Sequence, residues 1–329
     1  MHPYLFEIPL PWGGTYRAAS YGVMIVIGFL LCLWLLRRRG RRMGLNPLVL
    51  YDMAILILLC GIVGARLFYV IDNWQSGGFD KDPWLIIRID KGGLAFFGGL
   101  AGGIGALWYM VKTRGLSLLP TLDVGASLVP LGHAFGRMGC FLFGCCYGKV
   151  TDAWTGVCFP RGSPAYLHQL AEKQIRADAT RSLPVHPTQL YELTFNLFFF
   201  GLLSWLLWRR RRPGQIAWAY LTGYGCWRFF NEFFRDDTGE LVGPFTIFHL
   251  IAAGTAIVGI ALLIRTFHQE PVPLPEPWQP PPEKDEKEKS RKNGETQGQD
   301  EEQKQGQGKK KQGKKGREKK TDAAQESSD

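Results

Sequence analysis

Tyr21-Gly22-Val23-Met24-Ile25-Val26-Ile27-Gly28-Phe29-Leu30-Leu31-Cys32-Leu33-Trp34-Leu35-Leu36 runs directly into Arg37-Arg38-Arg39-Gly40-Arg41-Arg42. A bilayer core about 30 Å thick takes about 20 mostly apolar residues in helical form. Counted from residue 16, this stretch meets that length and stops at a basic cluster, so it reads as a membrane span with its far end in the cytoplasm. No basic segment precedes it, and the apolar run is of span length, so a retained anchor is expected and not a cleaved leader. Six further spans are expected at roughly 48–71, 92–111, 122–143, 189–208, 215–234 and 245–264. Lys112 and Arg114, the four arginines at 209–212, and Arg265 follow spans three, five and seven. Every odd span thus ends on positive charge, the pattern of cytoplasmic ends. The expected fold is an all-α polytopic membrane protein of seven transmembrane helices, with the N-terminus outside and the C-terminus cytoplasmic.

Whole-chain averages hide this pattern. The 329 residues are 46% apolar and 21% charged with a net charge of +10, and mean hydropathy is −0.06, figures that would suit a basic soluble protein. They mix two polymers. Residues 271–329 hold 14 Lys/Arg against 13 Asp/Glu and almost no aliphatic side chains. Pro-rich at first, then built from Lys, Glu, Gln and Gly, this stretch cannot bury enough apolar surface to offset the entropy of ordering. Two domains are therefore expected: a membrane domain over 1–270 and a disordered cytoplasmic tail over 271–329. The tail reads as a solvated appendage, with the basic run at 309–320 as a patch for anionic lipid the alternative. A disulfide-stapled miniprotein, a coiled coil and a soluble two-domain enzyme are excluded. Of the seven cysteines, Cys145 or Cys146 with Cys158 is one option for a disulfide on the outer side. Cys145, Cys146, Cys158 and His168 do not have a standard zinc spacing, and no metal is expected.

Charges inside spans are costly and mark function by default. With the orientation above they share the outer side. Arg66 lies in span two, His133 and Arg137 in span four, His186 and Glu192 at the start of span five, and Tyr224, Arg228, Glu232 and Arg235 along span six. Tyr224, Arg228 and Glu232 recur every four residues and Arg235 follows three later, which puts all four on one helical face. The rigid donor fork of arginine suits phosphate, so an Arg-lined cavity at headgroup depth fits a protein that handles phospholipid. Structural ion pairing is the other explanation for Arg228 and Glu232, whereas Arg137 has no acidic neighbour in the outer half of its own span. In the glycine-rich stretch 92–103, Gly98 and Gly102 allow close helix contact; alternatively, bare backbone at Gly98 and Gly99 would admit a headgroup.

Three blocks in order, with weaker ones before them, resemble the prolipoprotein diacylglyceryl transferases of bacteria. They are Gly136-Arg137-Met138-Gly139-Cys140-Phe141-Leu142-Phe143-Gly144-Cys145-Cys146-Tyr147-Gly148, then His186-Pro187-Thr188-Gln189-Leu190-Tyr191-Glu192, then Gly223-Tyr224-Gly225-Cys226-Trp227-Arg228-Phe229-Phe230-Asn231-Glu232-Phe233-Phe234-Arg235. Tyr21-Gly22, Gly64-Ala65-Arg66 and the glycine-rich stretch are the weaker matches. The resemblance implies transfer of a diacylglyceryl group from phosphatidylglycerol to the lipobox cysteine of a pre-lipoprotein signal peptide, forming a thioether and releasing glycerol phosphate. It implies a bacterial cytoplasmic (inner) membrane location, a site open to the outer leaflet, contact with membrane lipids, and no cofactor, metal or nucleic acid. Carried over residue by residue, Arg137 and Arg228 would bind the phosphate, and Glu232 would orient Arg228. Tyr21 and Tyr224 would contact the headgroup, while His186 and Glu192 would shape the outer rim. Arg66, Gly98, Gly99, Gly136, Gly139 and Arg235 complete the expected substrate-binding set.

Some family members carry His where Phe97 stands, and Asn and Glu where Cys140 and Cys145 stand. His133, one turn from Arg137, is then the candidate base for the thiol, or else a histidine hydrogen-bonded between helices. Two other functions stay open at this level: a catalytically impaired relative that still binds phosphatidylglycerol, and a membrane lipid transporter. Transporters commonly show internal inverted repeats with sites at the midplane; no such repeat is apparent here.

Overall fold

The structure, a computed structural model, describes residues 4–9, 15–88, 92–236 and 243–280. Most of the expected tail, including 309–320, lies outside the described residues. A two-stranded antiparallel hairpin comes first, β1 (Tyr4–Pro9) paired with β2 (Thr15–Ala19). It takes residues that the apolar count gave to the first span and departs from a purely helical reading; the β-branched and aromatic pair Thr15-Tyr16 suits extended backbone.

Helix α1 (Ser20–Arg42) is followed by α2 (Pro47–Asp72). Asn46 Oδ1 accepts the Leu48 N–H at 3.0 Å and Pro47 takes the first helical position, two start signals together. Helix α3 (Phe96–Arg114) stops at Gly115, whose φ of 63° is left-handed. The expected fourth span is two helices, α4 (Leu118–Ala126) and α5 (Val129–Phe143). Pro130 explains the break: it has no N–H to donate, and its ring would crowd the Ala126 carbonyl in a continuous helix. A short α6 (Pro164–Ala171) sits in the following connection, and α7 (Thr188–Leu207), α8 (Gln215–Glu232) and α9 (Ile247–Phe267) complete the described helices.

Five segments are long and apolar enough to cross a membrane: α1, α2, α4 with α5, α7 and α9. Helices α3 and α8 stand where the other two spans are expected, but α8 carries Arg228, Asn231 and Glu232 within its last turns. Leu30, Phe198, Leu250 and Ile257 are more than half exposed on these helices, an apolar outer surface that lipid would cover. Together with the family described below, this is a multi-pass membrane architecture.

Helix α2 packs on α3, α8 on α9, and both α1 and α7 on α5. The α2–α3 contact is backbone on backbone: a side chain on Gly98 would collide with the Gly64 carbonyl, and one on Gly102 with that of Cys60. The basic ends of α1, α7 and α9 converge. Arg42 lies over the Trp208 ring at 5.5 Å and Arg212 over Phe267 at 5.8 Å. Arg39 is buried and donates to Ser127 O, Ser127 Oγ and Ser204 Oγ at 2.7–3.1 Å. Fully buried Asp123 accepts the N–H groups of Gly214, Ile216 and Ala217 at the start of α8, and pairs with Arg210 at 3.0 Å. The Pro-rich segment after α9 turns back on this end, with Val272 N–H donating to Arg211 O and Trp278 N–H to Arg41 O, both at 2.7 Å. The compact unit accordingly includes this segment as far as Trp278.

Candidate active site

At the other end from those basic clusters, α5, α7 and α8 bring their ionisable residues together. Glu192, on the second turn of α7, is fully buried. Its Oε2 lies 2.9 Å from Arg137 Nε and its Oε1 3.2 Å from His133 Nε2. Arg137 Nε and His133 Nε2 are themselves 3.2 Å apart, so the three form a closed triangle across two helices. Asn231 Nδ2 approaches Glu192 Oε2 from α8 at 3.5 Å. Arg137 therefore does have an acidic partner, supplied from another helix. Glu192 lies at the centre of the cluster and not at an outer rim.

A second pair stands beside it, with a buried carboxylate and a partly buried arginine. Arg228 Nη2 meets Glu232 Oε2 at 2.6 Å one turn along α8. Thr246 Oγ1 donates to Glu232 Oε1 at 3.0 Å, and the Thr246 N–H donates to His249 Nδ1 at 3.0 Å in a capping box that starts α9. The carboxylate is thus held from two helices while Arg228 Nη1 is buried with no partner among the described residues. A buried guanidinium nitrogen left this way is a donor waiting for an acceptor. Thr246 and His249 escaped the sequence reading; the Thr-x-x-His spacing ahead of an apolar run was the available signal.

Tyr224 joins the two pairs. Its ring lies 5.5 Å from that of His133 and 5.7 Å from Tyr220, and Glu192, Arg228, Arg137 and Arg235 are all within electrostatic reach of its hydroxyl. Tyr21 of α1 lies within similar reach of Arg137 and of Cys140, Cys145 and Cys146. Gly139 lets α5 approach Tyr21, since a Cβ there would sit 3.0 Å from the Tyr21 Cα, whereas Gly136 faces open space. Arg235 is buried just beyond α8 and pairs in a β-bridge with Gly148. His186 Nδ1 lies 3.2 Å from the Tyr191 hydroxyl and its ring packs edge-on against Phe234; partial burial pushes its pKa below the usual histidine value.

Three expected site residues are placed elsewhere. Arg66 spends all five of its N–H donors on backbone carbonyls, those of Leu85, Ile86, Arg88, Gly92 and Gly93. It organises the connection before α3 and has no donor left for substrate. Gly98 and Gly99 lie on the close α2–α3 contact, which is what the helix-packing explanation expects of them. Phe97 is half exposed and packs edge-on against Phe96.

All seven cysteines are free thiols, so no bridge joins Cys145 or Cys146 to Cys158. His168 is engaged with Glu172 at 3.3 Å. A cavity of about 550 Å³ at the basic end is lined by Trp34, Arg37, Arg38, Arg41, Arg42 and Pro277. It contains no acid or nucleophile and lies away from the ion pairs.

Comparison with known proteins identifies the family. The sequence profile of the prolipoprotein diacylglyceryl transferase family matches residues 9–265. Among relatives named phosphatidylglycerol--prolipoprotein diacylglyceryl transferase, that of Pseudoalteromonas atlantica is 34% identical over 270 residues, covering 80% of this chain and 88% of the relative. That of Pseudoalteromonas translucida is 33% identical over 274 residues, 81% and 93% of the two chains. That of Vibrio atlanticus is 30% identical over 271 residues, 80% and 90% of the two chains. With a profile match spanning most of its length and relatives aligned over nearly all of theirs, this chain belongs to the prolipoprotein diacylglyceryl transferase family.

Proposed function

We propose that this protein transfers the diacylglyceryl group of phosphatidylglycerol to the lipobox cysteine of pre-lipoproteins, in the cytoplasmic membrane of a bacterium. Seven spans, an outside N-terminus and a cytoplasmic C-terminus would open the site toward the outer leaflet. The meeting of basic ends from α1, α7 and α9 supports that orientation.

The thiolate sulfur attacks the glycerol carbon that bears the phosphate. The carbon–oxygen bond breaks, its electron pair leaves with glycerol phosphate, and a thioether remains. The thiol proton passes to water or to the departing phosphate monoester, which gains negative charge as the carbon–oxygen bond breaks. The observation that carries the proposal is partly buried Arg228, fixed through Nη2 by Glu232 while its buried Nη1 has no partner among the described residues. A donor held in place before the reaction stabilises developing charge without reorganising, and one such donor is worth about 3–4 kcal/mol. Arg137, fixed through Nε by Glu192, supplies a second guanidinium. Tyr224 lies near both arginines and Tyr21 near Arg137; these, with His186 and Arg235, would complete the substrate-binding set.

His133 is best read as a positioning residue, because its Nε2 is engaged with Glu192 and Arg137. Incubating the purified protein with phosphatidylglycerol and a lipobox peptide tests the activity. The proposal expects the diacylglyceryl mass increment on the peptide cysteine; bound lipid without product would mark an impaired relative instead.

A further inference from the structure

Cys140, Cys145 and Cys146 converge next to the arginine cluster, with their sulfur atoms all within 4.8 Å of one another. Cys140 is buried on the last turn of α5. Gly144 then turns left-handed at φ 85°, and the N–H groups of Gly144 and Cys145 both donate to Cys140 O at 2.8 and 3.1 Å. This tight reversal returns the next two residues to the side chain they have just left. Cys146 itself has a φ of 58°, a region a residue with a Cβ adopts only when its surroundings require it.

Those surroundings come from the first turn of α7. Gln189 Nε2 donates to Cys145 O at 2.8 Å and Thr188 Oγ1 to Cys146 O at 2.9 Å. The backbone of each residue is thus pinned by a separate side chain, and three sulfurs are assembled in advance of any ligand.

From this geometry we infer a binding site for one thiophilic d10 metal ion, Zn2+ by preference, formed by the sulfurs of Cys140, Cys145 and Cys146. Thiolates select such ions over Mg2+ or Ca2+, and three cysteines leave the fourth tetrahedral position for water. Binding expels the three thiol protons to solvent. Three thiolates with Zn2+ carry one net negative charge, with Arg137 and Arg235 the nearby cations. The spacing hid the site: two adjacent cysteines on a sharp turn do not match a paired Cys-x-x-Cys pattern.

The test uses the full chain in detergent, reduced and freed of metal, then titrated with Cd2+ as a spectroscopic probe and with Zn2+ against a chromophoric chelator. One equivalent per chain is expected, with a thiolate-to-cadmium charge-transfer band. Cys145→Ser and Cys146→Ser should each weaken binding by more than the roughly 10–100-fold that loss of an outer-shell partner costs, while Cys226→Ser leaves it unchanged. Zn2+ should also protect Cys140, Cys145 and Cys146 of the unaltered chain from alkylation and leave Cys226 reactive, a readout independent of whether the variants fold. Absence of the band, its persistence in both serine variants, or a disulfide among the three after purification under reducing conditions would each overturn the inference.

Discussion

Arg137 Nε on α5 and Glu192 Oε2 on α7 are 2.9 Å apart, and Glu192 has no exposed surface. Removing one partner of a buried pair strands the other charge, at a cost of about 3–5 kcal/mol. Glu192→Ala should therefore lower the thermal midpoint in detergent and abolish transfer together. Glu192→Gln, which keeps the shape, should recover more stability than activity. An unchanged melting temperature in Glu192→Ala would show that the pair does not hold the helices.

Arg228 contributes a fork, and charge alone should not replace it. Arg228→Lys should fold and insert normally yet lose about 10²–10³-fold in turnover, the effect of losing one preorganised donor. Single-turnover rates on a lipobox peptide give the comparison. A loss below tenfold would mean that Arg228 is a structural partner of Glu232 only.

For His133, the two roles separate under substitution. A general base contributes about 10²–10⁴-fold and its loss changes the pH profile. A positioning histidine should be partly rescued by His133→Gln, with the pH profile retained. Rescue without a profile change is expected. Full activity in His133→Ala would remove both roles.

Arg66 should behave as a loop organiser. Arg66→Lys keeps the charge but cannot meet five carbonyls, and each buried acceptor left unpaired costs about 1–3 kcal/mol. Faster proteolysis or hydrogen exchange at residues 83–88 and 92–93 is expected, with loss of activity following loss of structure. Wild-type exchange in that segment combined with a raised KM would return Arg66 to the substrate.

The lowered pKa of His186 predicts a stability slope with a definite sign. The unfolded chain takes up a proton near pH 6.5 while the folded state resists it, so stability is full above that pH and falls as pH drops toward the folded pKa. His186→Gln should flatten the decline in melting temperature between neutral and mildly acidic pH. The same slope in both proteins would assign it to another group.

The helices and the arginine-bearing face of α8 are legible because both are periodic. Arg228 and Glu232 are four residues apart, and a helix makes them neighbours. Arg137 and Glu192 become partners only when α5 packs on α7, which no local pattern encodes. Residue type and depth at Arg66 match a phosphate ligand, whereas the five carbonyls that receive its donors come from the connection folded over it and are not readable from spacing. Gly98 was legible as either contact or cradle, and only the approach of α2 decides between them. The broken fourth span was readable in Pro130, whose missing N–H outweighs the apolar run around it. Cys140 joins Cys145 and Cys146 through a left-handed turn at Gly144, a feature of backbone geometry rather than of spacing.

The central claim is that two partly buried guanidiniums, oriented by Glu192 and Glu232, hold the phosphate of phosphatidylglycerol during transfer. Its most direct measurement is the diacylglyceryl mass increment on a lipobox peptide, made with the unaltered protein, Arg137→Ala and Arg228→Ala at matched folding and membrane insertion. The prediction is product from the unaltered chain and none from either variant. Near-native product from a folded Arg137→Ala or Arg228→Ala protein would contradict it.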